Sequence, residues 1–364
     1  MITIHDVAKR AGVSISTVSN VINKNKFVSD NLTRRVNAAV EELKYSANPI
    51  AQKMKIKYTK TIGIITADLC GLFYPYVLKG LYDVLNTKGY RLSILDSEGS
   101  HDDLGGIKKF QESITALVRD RVDGIVFAST IPEETEAGII RDLMNLPSFR
   151  KNTGFVCIEK NLSKYGLDSV YADSEAGAET ATGHLIETGC RKIGHITGPF
   201  FVTIAQDRVR GYKKAMLRRG FEVDDTRMIA RGDYTHKSGY MAMKELLHNM
   251  PDIDGVFAAN DQMSVGALKA LFEAGRRVPE DVKIIGYDDV FISSVLDPPL
   301  STIHVQKYRM GRNAAELLLT QLEQEAGSFL QDKAQGRVIE LQSKLVIRKS
   351  TVKTAPDDWI LVDW

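Results

Sequence analysis

The chain has 364 residues, 43% hydrophobic and 26% charged, an ordinary balance for a folded protein with room for two or three domains, and no run approaches the roughly 20 apolar residues of a membrane helix. Three widely spaced cysteines (Cys70, Cys157, Cys190) argue against a disulfide framework, and residues 1–6 carry no export signal, so a reducing cytoplasm is expected. The net charge of +2 conceals an asymmetry: the first 60 residues hold 11 basic against 4 acidic side chains, the remainder 37 against 42. Cations concentrated at one end among periodic apolar residues point to a folded head that binds nucleic acid, because each neutralised phosphate releases condensed counterions.

Residues 1–46 predict three helices. Thr3 can cap the first, with Asp6 completing a short-armed capping box, and Ile4, Val7, Ala8 and Ala11 share one face. Gly12 permits a tight turn, Val13 plugs the core, and Ser14 opens a second helix with Val18, Val21 and Ile22 inward. A third helix over 30–44 carries Leu32, Val36, Ala39, Val40 and Leu43 as its stripe. Two helices joined by about three residues, the second polar outside, form a helix–turn–helix unit. In that geometry Ile15, Ser16 and Asn20 face base edges, while Thr3, Ser14, Thr17, Ser19 and Asn23 anchor phosphates.

The run TIHDVAKRAGVSISTVSNVIN resembles the signature of the lactose-repressor (LacI/GalR) family of bacterial transcription regulators. Asn20 departs from the pattern, standing where many members carry Arg, so no known operator sequence is carried over.

Residues 47–60, ANPIAQKMKIKYTK, read as a hinge helix or linker. Asn48 can cap it with Pro49 at the first helical position, but about two turns are marginal in isolation. The resemblance implies a segment that orders on DNA and pushes an apolar side chain into the minor groove, here Met54.

From 61 to 347 short β-branched runs alternate with amphipathic helices. TIGIITA, RLSILDS, DGIVFAS and GFVCIE read as strands, with helices near 74–88, 102–120 and 133–145. A second set follows in SVYAD, KIGHITG, DGVFAAN and VKIIGYDD, with helices near 174–189, 205–219, 235–249 and 261–274. The fold class is therefore an all-α head followed by α/β, two doubly wound parallel-sheet subdomains with ligand loops at the strand carboxyl ends. The resemblance implies a periplasmic-binding-protein-like arrangement joined by crossovers near Asn161, Asp289 and Gly327. That gives a first subdomain of about 61–161 and 290–326, with the helix near 308–324 on it, and a second of about 162–289 and 327–347. Residues 348–364, with Trp359 and Trp364, form a tail.

Strand ends supply the candidate ligand residues. Phe73, Tyr74 and Glu159 fall there in the first subdomain, and the family's effector-binding Arg, aromatic, Asn and Asp match Arg208, Tyr234, Asn260 and Asp288. Asp173 and Asp261 read as caps of the helices they precede. His184 and His195 read as helix and strand residues near the second subdomain's edge.

No GxSxG elbow, Walker loop, GxGxxG fingerprint or metal-ligand spacing occurs, so neither enzyme, cofactor nor metal is expected. The expectation is a cytoplasmic repressor, nucleoid-associated when bound to DNA, that works as a homodimer on a near-palindromic operator and responds to a sugar or sugar derivative. A purine corepressor or a phosphoprotein co-regulator is the alternative on the same scaffold. A solute-binding protein of transport is disfavoured by the helix–turn–helix head.

Overall fold

The computed structural model describes residues 2–23, 26–45, 58–97, 103–128, 132–145, 153–323 and 335–356. The chain divides into two compact units, Met1–Thr59 and Lys60–Trp364. Most of the expected hinge, including Met54, and the tail tryptophans Trp359 and Trp364 lie outside the described residues.

In the first unit, α1 (Ile4–Ala11), α2 (Ile15–Asn23) and α3 (Asp30–Glu42) enclose a core of Val7, Ala8, Ala11, Val18, Val36 and Ala39. Asp6 Oδ2 accepts from the Thr3 backbone N–H at 2.8 Å and from Thr3 Oγ1 at 2.7 Å, fixing the start of α1. Gly12 takes φ 62° after α1, and its N–H meets the carbonyls of Ala8 and Lys9. Helix α3 ends at Glu42, two residues short of expectation.

The second unit holds two six-stranded sheets. Its first part runs β1 (Thr61–Thr66), α4 (Tyr74–Thr87), β2 (Arg91–Asp96), α5 (Asp103–Arg119), β3 (Gly124–Ala128), α6 (Glu133–Asn145), β4 (Gly154–Ile158) and β5 (Asp168–Ala172). There follow α7 (Ser174–Glu187), β6 (Ile193–Thr197), α8 (Thr203–Arg218), α9 (Asp225–Met228), β7 (Ile229–Arg231) and α10 (His236–Asn249). Next come β8 (Gly255–Ala258), α11 (Asp261–Glu273), β9 (Lys283–Asp288), α12 (Ile292–Val295) and β10 (Ser301–His304). The unit closes with α13 (Lys307–Glu323), β11 (Val338–Leu341) and β12 (Lys344–Val346). The sheet orders are β11-β5-β4-β3-β1-β2 and β12-β10-β9-β8-β6-β7. All pairs are parallel except β10 with β12. Central strands such as β3 and β4 are buried throughout, as helices on both faces require.

The crossovers fall elsewhere than expected. Strand β5 pairs with β4, so the chain leaves the first lobe at Asp173 rather than near Asn161. Strand β10 pairs with β9, which moves the return from Asp289 to just past His304. The last crossing lies between Leu341 and Lys344 rather than near Gly327, because β11 joins the first sheet and β12 the second. A half-buried ion pair supports the placement of β5. Asp168 Oδ2 accepts from Arg337 Nε at 2.9 Å and Nη2 at 2.6 Å, and from Gln321 Nε2 at 2.9 Å, tying β5 to the segment leading into β11.

Helix α13 lies on the first lobe, against α4. Gly80 and Gly311 make this close crossing possible: a Cβ on Gly80 would overlap the Tyr308 carbonyl, and one on Gly311 the Val77 carbonyl. His195 lies one strand in from the sheet edge, in the interior. Strand β6 is flanked by β8 and β7, and the His195 ring is fully buried between Tyr212 and Phe257, its Nδ1 2.9 Å from the Phe257 carbonyl. Burial pushes its pKa down to about 3, so the ring is neutral. His184 is also buried, its Nε2 2.8 Å from Thr351 Oγ1.

Candidate nucleic-acid interface and ligand site

In the first unit, Val18 is fully buried and pins α2, which leaves Ile15 (39% exposed) and Ser16 on the open side. Thr17, Ser19 and Asn20 are half-buried along the same helix. The short hydroxyls form a local network. Ser14 Oγ accepts from the Thr17 N–H at 3.1 Å and lies 2.7 Å from Ser16 Oγ and 2.9 Å from Thr17 Oγ1. Ser14 is thus the cap of α2, and Thr3 Oγ1 is committed to Asp6. Asn23 ends α2, its side chain outside the described set.

Two features escape the sequence reading. Arg35 of α3 donates from Nη2 to the carbonyls of Ala11 (2.8 Å) and Gly12 (3.1 Å), clamping the turn between α1 and α2. A lone Arg on a solvated helix face carries no signal of this; the only hint is that the turn's carbonyls need donors. Phe27 is 94% exposed in the connection to α3, a large apolar ring set beside the basic residue Lys26.

In the second unit, residues from the carboxyl ends of both sheets converge. From the first lobe, Tyr74 Oη donates to Glu159 Oε2 at 2.5 Å, and Phe73 stands edge-to-face with Tyr74 at 5.4 Å between centroids. Burial pushes the Glu159 carboxyl up, while the Tyr74 hydrogen bond and the Arg208 charge pull it back. Tyr74 is raised well above its ordinary value, by burial first and then by the charge of Glu159.

From the second lobe, Arg208 on α8 lies 3.5 Å (Nη2) from Asp288 Oδ1, donates from Nη1 to the Ala259 carbonyl at 2.5 Å and stacks 3.9 Å over the Tyr287 ring. Burial raises Asp288 to about 6 despite the opposing charges of Arg208 and Lys307, and Glu159 raises it further. Tyr234 holds φ 69°, its ring packed where any Cβ on Gly198 would overlap it, and its buried hydroxyl has no hydrogen-bond partner among the described residues.

Asn260 is the cap of α11: its Oδ1 accepts from the Met263 N–H at 2.8 Å and its Nδ2 donates to the Tyr234 carbonyl at 3.0 Å. It therefore sets the Tyr234 turn as well as the helix. Asp261, expected as that cap, instead occupies the first helical position and is fully buried. It accepts from Thr302 Oγ1 at 2.6 Å and from the Val290 N–H at 2.9 Å, so its work is to fasten β10 and the loop after β9. Asp173 caps α7 as expected, accepting from the Ala176 N–H at 2.9 Å.

Of the seven expected ligand residues, Glu159, Asn260 and Asp288 lie at strand ends, Tyr234 follows β7, Phe73 and Tyr74 stand at the start of α4, and Arg208 lies on α8. The arrangement offers two carboxylates, one five-donor guanidinium and one unpartnered phenol against aromatic walls. Such a set recognises a small polar molecule by hydrogen bonds and contains no paired nucleophile and base. Among the described residues no group of three or more His, Cys, Asp or Glu could hold a metal ion, and no helix is long and apolar enough to cross a membrane.

Residues 3–48 match the family model of bacterial regulatory proteins, lacI family, and residues 182–351 match the periplasmic binding protein-like domain. The ribose operon repressor of Escherichia coli (strain K12) is 34% identical over 324 residues, 89% of this chain and 94% of the relative. The HTH-type transcriptional repressor PurR of Serratia proteamaculans (strain 568) is 35% identical over 351 residues, 96% of this chain and 97% of the relative. The crystal structure of the lac repressor dimer bound to operator and the anti-inducer ONPF superposes with a TM-score of 0.75 at 26% identity, covering 96% of this chain and 99% of that one.

Proposed function

The chain belongs to the lacI family of bacterial regulatory proteins, and on that basis we propose a cytoplasmic transcriptional repressor that grips a near-palindromic operator as a homodimer and binds a small sugar between its lobes. Two-fold symmetry would set two copies of α2 on successive half-sites. Ile15, Ser16 and Asn20 would then meet base edges, with Thr3, Ser14, Thr17, Ser19 and Asn23 toward phosphates. Thr3 and Ser14 act chiefly through the helix N-termini they cap, since their hydroxyls are already engaged. Met54 would wedge the minor groove, and the protein would associate with the nucleoid when bound.

One observation carries the ligand class. Carboxylates from opposite lobes, Glu159 and Asp288, act on the single guanidinium of Arg208, with the Tyr234 hydroxyl left over. Acceptors from two lobes together with a donor fork suit the several hydroxyls of a sugar, each of which donates and accepts. Phe73, Tyr74 and Tyr234 would cover the apolar face of the ring, and Asn260 would fix the Tyr234 turn. A ligand held by both lobes biases the angle between them, and linkage makes its effect on DNA affinity equal to the effect of DNA on its own affinity.

The second reading, a flat purine against the Phe73–Tyr74 edge, is favoured by that aromatic pair and by the likeness to the repressor PurR. A thermal-shift series on the full chain with D-ribose, sugar phosphates and hypoxanthine separates the two, because a ligand that binds only the native state raises its melting temperature. A shift with hypoxanthine alone removes the sugar reading. Anisotropy on DNA selected in vitro from random sequence then tests release: no half-site symmetry in the selected DNA would remove the dimeric operator.

A further inference from the structure

Lys307 opens α13 and is 5% exposed, yet it forms no direct ion pair among the described residues. Its ammonium donates instead to three backbone carbonyls, those of Asp288 (2.5 Å), Asp289 (2.9 Å) and Val305 (3.2 Å). Three carbonyls use the whole donor capacity of a lysine. Two of them belong to consecutive residues with left-handed backbone, Asp288 at φ 101° and Asp289 at φ 53°. Neither is glycine, so the turn is costly and persists only where the surroundings over-determine it. The convergence of both carbonyls on one buried cation contributes to that determination, beside the bonds of the Asp289 N–H to Thr302 and of the Val290 N–H to Asp261.

The turn sends two adjacent acids in different directions. Asp288 faces Arg208 in the ligand site. Asp289 faces the crossover, where its carboxylate accepts from His304 Nδ1 at 2.9 Å and Arg348 Nη2 at 2.8 Å. Lys307 itself belongs to the other lobe's framework. Helix α13 is locked to α4 through the Gly80 and Gly311 crossing, and the Tyr76 ring of α4 stands 5.5 Å from the ammonium. Helix α4 also begins with Tyr74, the partner of Glu159. The α4–α13 pair therefore reaches the site twice, at Tyr74 directly and at Asp288 through Lys307.

We propose that Lys307 is a positioning residue: it holds the Asp288–Asp289 turn so that the Asp288 carboxylate faces the ligand, and it ties that carboxylate to the α4–α13 pair of the first lobe. The proposal rests on the cleft being the ligand site, and extends it to a residue outside the proposed ligand shell.

The test uses the full chain with K307Q, which keeps a donor and loses the charge, and K307M, which loses both. D-ribose affinity is measured by calorimetry from pH 5 to 8, with thermal unfolding as the folding check. Asp288 is faced by Arg208 of α8, Lys307 of α13, Glu159 after β4, Asp261 of α11, Tyr234 after β7 and Tyr287 of β9, and only Lys307 changes. Loss of that cation favours protonated Asp288, so K307Q is expected to weaken D-ribose binding roughly tenfold or more near neutral pH and to move the acid limb of the profile to higher pH. A lower melting temperature with the same affinity and the same pH midpoint would overturn the proposal. Should K307M fail to fold, K307Q decides. Should the native chain bind no D-ribose, that sugar is not its ligand, and a crystal structure of K307Q decides the Lys307 role. Asp288 leaving its left-handed conformation and turning from Arg208 supports it, and an unchanged turn overturns it.

Discussion

Arg208 Nη2 stands 3.5 Å from Asp288 Oδ1, with both side chains about nine-tenths buried. The distance is long for a charge-assisted hydrogen bond, which closes to about 2.7–2.9 Å when well formed. Arg208 gives its short hydrogen bond to the Ala259 carbonyl and stacks on Tyr287, so the carboxylate is within reach but not saturated. A pair poised in this way can accommodate a hydroxyl that donates to Asp288 while accepting from Arg208.

The first prediction concerns that carboxylate. Asp288→Asn should reduce sugar affinity by at least about tenfold, near 1.4 kcal/mol, while DNA binding without sugar changes little. Calorimetry and anisotropy read the two; equal affinities for sugar would remove Asp288 from the site.

The pH dependence follows from the direction of the shift. Asp288 is raised to about 6, so its ionised form, the one that accepts from ligand hydroxyls, is present above that pH and lost as pH falls through it. Sugar affinity in the native chain should therefore decline below about pH 6, and the decline should be absent in Asp288→Asn. Stability runs the opposite way. The folded chain holds a proton on Asp288 that the unfolded chain has released between pH 3.8 and about 6, so this group's contribution falls as pH rises through that window. The difference in melting temperature between the two proteins, followed from pH 4 to 7, checks the sign.

Asp168 tests the first-lobe frame. Its carboxyl is 1% exposed; burial would raise its pKa, but Arg337 and Gln321 overcome this and hold it below the usual range. Its contribution is therefore present above the ordinary carboxylate value and lost as pH falls through the depressed one. Asp168→Ala should destabilise the second unit by on the order of 2–3 kcal/mol, less than a fully buried pair because Arg337 is partly exposed. Denaturant titration followed by circular dichroism measures this. A loss below about 0.5 kcal/mol would mean that β5 is held by its strand pairing alone.

What the sequence disclosed depended on distance along the chain. The Thr3–Asp6 box, the Gly12 turn and the Ser14 cap were readable because each is settled within four residues. Strands such as Thr61–Thr66 were readable from continuous apolar runs. The lobe to which β5 belongs was not, since it is settled by which strand it pairs with, β4, and by a contact 169 residues away, Asp168 to Arg337. The same limit hid Arg35, whose carbonyl partners lie 23 and 24 residues back, and Lys307, whose role exists only once Asp288 and Asp289 adopt their turn. That Asn260 rather than Asp261 caps α11 is a one-residue matter of helix boundary, the feature least fixed by pattern.

Asn20 offers a test of readout. It lies half-buried on the open side of α2, and an amide can pair with adenine N6 and N7. Asn20→Ala should cost roughly 1–3 kcal/mol at particular base pairs and little at others. Binding to a library of single base-pair variants of the selected DNA measures this, and a uniform loss across the library would reassign Asn20 to a phosphate.

The head's charge makes the last prediction. Of the eleven cations among the first 60 residues, Arg10 is paired with Glu42 and Arg35 is spent on the turn, and the sequence places three lysines, 53, 55 and 57, close together in the segment that follows the three helices. A dimer that neutralises about 6–10 phosphates should show a slope of log affinity against log salt of roughly −5 to −9. Affinity would then fall about 10³–10⁵-fold between 50 and 200 mM salt. Replacing Lys53, Lys55 and Lys57 by Gln should flatten the slope by about 0.9 for each phosphate left unneutralised, without altering base preference. If the slope of the substituted protein equals that of the native one, those lysines do not touch the backbone, and the phosphate grip belongs to the three-helix unit alone.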